Sequence, residues 1–188
     1  MGIGQKIVNF LKINGITHEV TGEDVEIKNN TVYVNKKEVT KIKELNLKIE
    51  WSGDLANLTV RQGSITCGDV SGSVDAGENI NCGDVGGDAD AGENITCKDV
   101  GGKVDAGDKV TCENVNGCVD AGDSVKAGNI SGSVDAGDSV TCGNVGGDID
   151  AGDRVTCGNV GGDIESEGDI TCKHVDGDIT ADTVKMAR

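Results

Sequence analysis

The stretch Gly77-Glu-Asn-Ile-Asn-Cys-Gly-Asp-Val-Gly-Gly-Asp-Ala-Asp-Ala91 runs directly into Gly92-Glu-Asn-Ile-Thr-Cys-Lys-Asp-Val-Gly-Gly-Lys-Val-Asp-Ala106. These are two copies of one fifteen-residue unit. Seven of the eight cysteines keep its spacing: Cys67, Cys82, Cys97 and Cys112, then Cys142, Cys157 and Cys172, with Ala127 filling the one gap. A period this short, held over many turns, predicts a solenoid in which each repeat stacks only on its neighbours.

Working outward from the unit, the apolar positions define an inward face. Ile80 and Cys82 are two residues apart and share one face of a short strand, with Asn81 between them pointing out. Val85, Gly87, Ala89 and Ala91 continue the alternation. One glycine column (Gly72, Gly87, Gly102, Gly117, Gly132, Gly147, Gly162, Gly177) is complete, and a second runs from Gly77 to Gly152. Glycine at a fixed place implies either positive φ at a corner or a backbone packed too close for a side chain. Fifteen residues at about 3.3 Å each trace a perimeter of at most roughly 50 Å, so the coil is narrow and its interior holds one layer of small residues. The predicted fold is all-β: a parallel β-solenoid of about eight coils over residues 58–188.

Composition agrees with that reading. The 188 residues include 30 glycines, no proline, and one each of Trp, Tyr and Phe, so the core is not built from large aromatic side chains. Charge is uneven along the chain. Residues 1–60 carry eight lysines against eight carboxylates, whereas residues 61–188 carry nine basic and 25 acidic residues and account for the net charge of −16. Such a surface repels nucleic acid and anionic membranes, which argues against both as partners. No leader, lipidation or membrane-spanning pattern is legible, which predicts a reduced, cytoplasmic protein rather than a disulfide scaffold.

Residues 1–57 read as a small α+β cap or oligomerisation module. Gly4 to Ile13 has the apolar spacing of a short amphipathic helix ended by Asn14-Gly15. Val25 to Lys28 and Thr31 to Val34 flank Asn29-Asn30 and predict a hairpin on a two-residue turn. Leu45 to Trp51 alternates strictly and predicts a strand. Leu58-Thr-Val60 resembles Val-Asp-Ala of the repeat and predicts an imperfect first coil. At the other end, Val184-Lys-Met186 matches Val-Thr-Cys, so Met186 takes the place of the next cysteine and plugs the last core layer.

Three columns are candidates for function. The cysteine column reads as a row of small hydrophobic thiols, because no CxxC occurs and the histidines are only His18 and His174. Cys118 is off the column and points outward, as the one thiol expected to react with solvent reagents. Two acidic rows also point outward: Asp75, Asp90, Asp105, Asp120, Asp135, Asp150 and Glu165 form one, and Glu78, Glu93, Asp108, Asp123, Asp138 and Asp153 form the other. Like charges this close repel unless solvent or cations screen them. Oxygen-rich rows suit Ca²⁺, so every carboxylate of these rows except Glu165 is a candidate metal ligand and Ca²⁺ the one candidate cofactor. A threonine row (Thr66, Thr96, Thr111, Thr141, Thr156, Thr171), interrupted by Asn81 and Lys126, fits an exposed strand face.

The segments Val70-Ser-Gly-Ser-Val-Asp-Ala76 and Val145-Gly-Gly-Asp-Ile-Asp-Ala151 resemble the core of bactofilins, bacterial polymer-forming cytoskeletal β-solenoid proteins. The resemblance covers residues 65–186 and implies a structural, self-associating role. The chain departs from that pattern in its strict period, its cysteine column and the neutral region before the solenoid. No family functional residue carries over.

No catalytic constellation is legible, and the protein is not expected to be an enzyme. Two function classes follow. One is a structural or self-assembling rod that associates through residues 1–57 or its coil ends. The other is an acidic binding module, either mimicking DNA towards a basic protein partner or binding divalent cations.

Overall fold

The computed structural model describes residues 9–13, 16–20, 24–42, 49–52 and 55–187. Every described element is a strand. Beyond Asn57 the chain winds as a parallel β-solenoid, and each coil has three sides. The first is a Val-Asp-Ala strand such as Val104–Ala106, whose outer two residues are buried and whose Asp105 is exposed. The second is a strand such as Lys109–Thr111, with Val110 buried, running on into the buried Cys112. The third is a single buried aliphatic residue, and these bridge coil to coil from Val70 to Val160 through Ile130. Register is strict: Val104 lies on Val119, Asp105 on Asp120 and Ala106 on Ala121.

Counting β7 (Asn57–Val60) as the first rung, the Val-Asp-Ala ladder has nine rungs, and so does the ladder from Ile65–Thr66 to Thr183–Met186. Nine coils therefore stand where the repeat predicted eight. The sequence undercounts because both end coils have diverged from the unit. Leu58-Thr-Val60 replaces Val-Asp-Ala in the first coil, where Leu58 pairs with Val74, and Met186 replaces the cysteine in the last, where it pairs with Cys172. At about 4.8 Å per coil the rod is about 40 Å long. The first coil also reaches back beyond the expected boundary: Leu55 is buried, and its carbonyl accepts hydrogen bonds from the Ser71 N–H at 2.8 Å and the Ser71 hydroxyl at 2.9 Å.

The glycine columns are explained by close approach. Among the described glycines only Gly63 has positive φ. A Cβ on Gly107 would collide with the Gly92 carbonyl oxygen and lie 2.9 Å from its carbon. At the same corner the backbone is satisfied from coil to coil, as in the 3.0 Å bond donated by the Gly107 N–H to the Ala91 carbonyl. A side chain would force the coils apart and break that ladder.

Every described element of the N-terminal region is a strand, including the residues from Asn9 to Ile13 that were expected to end a helix. β1 (Asn9–Ile13) lies between β2 (Ile16–Val20) and β6 (Ile49–Ser52) in an antiparallel sheet. The segment expected to end a helix is thus strand up to Ile13, and Ile13 pairs with Ile16 across Asn14-Gly15. Helical spacing of apolar residues was outweighed by β-branched and aromatic content together with an Asn-Gly hairpin signature. Gly4 to Val8 and Leu45 to Lys48 lie outside the described residues.

β3 (Asp24–Lys28), β4 (Thr31–Val34) and β5 (Lys37–Lys41) form an antiparallel meander that continues the Val-Asp-Ala ladder. The turn at Asn29-Asn30 has φ of 49° and 58°, the left-handed pair of a tight hairpin turn, and Asn35-Lys36 repeats it with 47° and 63°. β3 docks parallel on β7, Val25 beside Leu58, and Arg61 Nε meets Glu26 Oε1 at 3.1 Å. Val25, Ile27, Val32 and Val34 are buried in the same core as the solenoid. Among the described strands the ladder thus ends on β5, whose lysines at both ends blunt its outer edge.

Candidate functional site: the thiol column and the outward rows

The strand that begins at Ile80, Ile95 or their equivalents delivers each column cysteine to the coil interior two residues later. Stacking then brings the sulfurs together. Cys67 Sγ lies 2.8 Å from Cys82 Sγ, and Cys97 stands next in the row, between Cys82 and Cys112. The neighbouring thiols Cys67 and Cys97, together with burial, hold the Cys82 and Cys112 thiols protonated well above the ordinary range. Cys67 is lowered by its hydrogen bond with Cys82. In the second block burial alone pushes Cys142 up to about 11, and burial with neighbouring thiols pushes Cys157 up to about 12. Cys172 is fully buried and donates to Met186 Sδ at 3.5 Å. Met186 itself remains 50% exposed, so it covers the last thiol without becoming core.

Cys118 is exposed, as expected, but the column is not uniformly shielded: Cys67 and Cys142 are half-buried. Each lacks a thiol on its N-terminal side, Cys67 because it heads the column and Cys142 because Ala127 precedes it. A missing Sγ leaves its neighbour uncovered. Thiol labelling of the reduced, native protein should therefore modify Cys118 first, Cys67 and Cys142 next, and the other five slowest; peptide mass mapping over time would read the order. Rapid labelling of Cys97 or Cys112 would show that the inward face is misassigned.

The two acidic rows stand where the repeat placed them, on either side of the glycine corner. Asp75 to Glu165 project from the Val-Asp-Ala ladder in register. Glu78 to Asp153 follow the corner, linked by backbone bonds such as the 2.7 Å bond from the Asp108 N–H to the Glu93 carbonyl. Among the described residues no three His, Cys, Asp or Glu side chains converge to hold a metal ion. Instead Asp105, Asp120, Asp135, Asp150 and Glu165 face a shallow trough of about 550 Å³ also bordered by Lys103, Cys118, Ser133, Asp148 and Asp163.

Crowding in this row is visible in its protonation. Partial burial, then Asp105 and Asp75, raise the Asp90 carboxyl above its ordinary 3.8, and partial burial with Asp120 and Asp150 does the same at Asp135. A carboxyl raised on folding binds protons more tightly in the folded state, so stability is gained as pH falls into the window just above 3.8 and lost as pH rises through it. At low ionic strength the melting temperature should rise on acidification into that window, and added salt at neutral pH should raise it too. A melting temperature that fell under mild acidification would show that the ionised row is held by a cation or a partner.

The threonine row is exposed along the second side, with Thr171 half-buried near the end. A further feature went unassigned in the sequence: the Asp or Asn two residues after each column position is a side-chain ladder. Asp84, Asp99, Asn114, Asn129 and Asn144 each accept, through Oδ1, the backbone N–H fifteen residues on, as from Asn129 N–H to Asn114 at 3.0 Å and from Asn159 N–H to Asn144 at 2.8 Å. A second such ladder runs through Ser73, Asp88 and Lys103, where the Lys103 N–H donates to Asp88 Oδ1 at 2.8 Å. These side chains satisfy corner amides that no strand can reach. The signal was the Asp or Asn before each third-side valine or isoleucine from Val70 to Val160, a position held by His174 in the next coil.

No protein-family model, curated protein or solved structure matches this chain. No described helix is long and apolar enough to cross a membrane.

Proposed function

We propose that the protein is a non-enzymatic structural rod that self-associates end to end through its last coil. One observation carries this reading: the two ends of the ladders are treated differently. At the first coil, β3 to β5 extend the ladder with a meander ending in a lysine-flanked strand. At the other, the four-residue rung Thr183–Met186 pairs only with Asp169–Cys172 among the described strands. Val184 and Met186 there are two of only three large hydrophobic side chains exposed among the described residues. A rung with a free backbone edge and apolar side chains fits a second copy of itself, and a self-complementary contact closes as a two-fold pair. The likeness to bactofilins supports the same class of role.

Small-angle X-ray scattering over a concentration series tests it. The longest dimension should grow with concentration while the cross-section stays constant. Growth in the cross-section instead would indicate lateral association and contradict the end-to-end reading.

A second reading, binding of a basic protein, is favoured by the trough, where one in-register carboxylate column lies beside Asp148 and Asp163. Its test is retention of basic DNA-binding proteins on the immobilised rod at low and high salt. Loss of all retention at moderate salt would leave only nonspecific attraction.

A further inference from the structure

The thiol column holds more sulfur than packing requires. Ala127 occupies the same inward position without a break in register: Val125 lies on Val110 and Val140 alike, and the Ala127 N–H donates to the Thr141 carbonyl at 3.0 Å. Alanine is therefore sufficient for the fold, yet the remaining seven positions are cysteine. They stack at the same inward position coil after coil, with the Cys67 and Cys82 sulfurs at 2.8 Å and Cys172 reaching Met186 at 3.5 Å. The column is divided into a block of four thiols and a block of three, and each block is headed by a half-buried cysteine, Cys67 or Cys142, through which an ion can enter.

We propose that this column is a linear binding site for soft, thiophilic monovalent cations of the Cu(I) class, each ion held between sulfurs of successive coils. Soft thiolate and thioether donors select such ions over Ca²⁺ or Mg²⁺. The spacing fits. A metal–thiolate bond of about 2.3 Å places two bridged sulfurs about 4.6 Å apart, and successive coils repeat at about 4.8 Å. The close Cys67–Cys82 pair needs only side-chain rotation to open to that distance, since its backbone positions are set by the coil repeat. Two ligands in line suffice, so the absence of any convergent group of three among the described residues is compatible with this site and incompatible with tetrahedral zinc. Each thiol that becomes a ligand releases its proton to solvent. This inference does not depend on the assembly reading.

The test uses the whole chain carrying Cys118→Ser, so that the exposed thiol cannot report. Reduced protein is titrated anaerobically with Cu(I) against a Cu(I)-selective chelator, and retained copper is counted by elemental analysis after gel filtration. Three gaps in the first block and two in the second predict five ions per chain; the weaker Cys172–Met186 position is lost to the chelator. Ala127→Cys joins the blocks and should raise the count to seven. Cys82→Ala with Cys157→Ala leaves only the gap between Cys97 and Cys112, and should lower it to one. An unchanged β-sheet circular dichroism spectrum confirms that the variants fold, as Ala127 leads one to expect. No retained copper, a count unmoved by Ala127→Cys, five ions in the double alanine variant, or equal retention of Zn(II) would each overturn the proposal.

Discussion

Gly102→Val is expected to destabilise the rod by about 3 kcal/mol or more, at the upper end of overpacking costs, and to lower its melting temperature by roughly 10 °C. A Cβ at this corner would meet Asp88 Oδ1 and lie 2.8 Å from the Gly87 carbonyl carbon. Neither neighbour can retreat. Asp88 Oδ1 accepts the Lys103 N–H, and the Gly87 carbonyl accepts the Gly102 N–H. Relief requires the coils to separate, which breaks the corner bonds on both sides and exposes Val100 and Val104. Asp105→Ala, three residues away, is the control: it removes one charge from a repelling row and should leave the melting temperature unchanged or slightly raised. Paired thermal melts read both variants. A Gly102→Val protein as stable as the parent would mean that the corner is looser than the close-approach argument requires.

Removal of residues 1–54 should turn an association that stops at pairs into one that continues as filaments. The cut spares Leu55 and β7 but removes β3, β4 and β5. Val25 and Ile27 no longer cover Leu58 and Val60, which are now buried, and β7 becomes an open edge without the lysines of β5. With both ends open, a head-to-tail contact repeats without closing. The side-chain columns of a second rod can continue in register across such a joint. Aligned carboxylate rows oppose this, but salt screens them beyond about 8 Å at physiological strength. Filament growth should therefore strengthen as salt rises, visible as turbidity and as fibres by electron microscopy. A truncated protein that stays small at every salt concentration would remove the basis for reading the meander as a cap.

Much of this architecture was legible because the period repeats each constraint many times. The Cys82–Cys97–Cys112 spacing, the alternation through Ile80, and Asp105 standing in register with Asp90 and Asp120 follow from stacking identical units, so one reading of a coil serves nearly all of them. Errors concentrate where repetition ends. Asn9 to Ile13 occurs once, and a strand short enough to mimic helical spacing needed its partners β2 and β6 to be identified. Asn35-Lys36 was missed as a turn because lysine is not a usual left-handed residue, although the hairpin around Asn29-Asn30 was plain. The candidate site was legible as columns but not as contacts. Sequence places Cys67 above Cys82; only the three-dimensional arrangement shows their sulfurs meeting, or shows that Ala127 uncovers Cys142. The Asp84–Asn144 ladder was visible as a conserved letter of the unit, yet its purpose depends on corner amides whose lack of strand partners cannot be read from one coil.

Sedimentation equilibrium of the full chain over a wide concentration range, beside Val184→Lys, tests the self-association claim most directly. Val184 is 44% exposed on the last rung, so lysine there places a charge in the contact without disturbing the core. The account predicts a monomer–dimer equilibrium for the parent, strengthened by salt, and a monomer for Val184→Lys at the same concentrations. A parent that remains monomeric throughout, or a dimer unaffected by Val184→Lys, would contradict it.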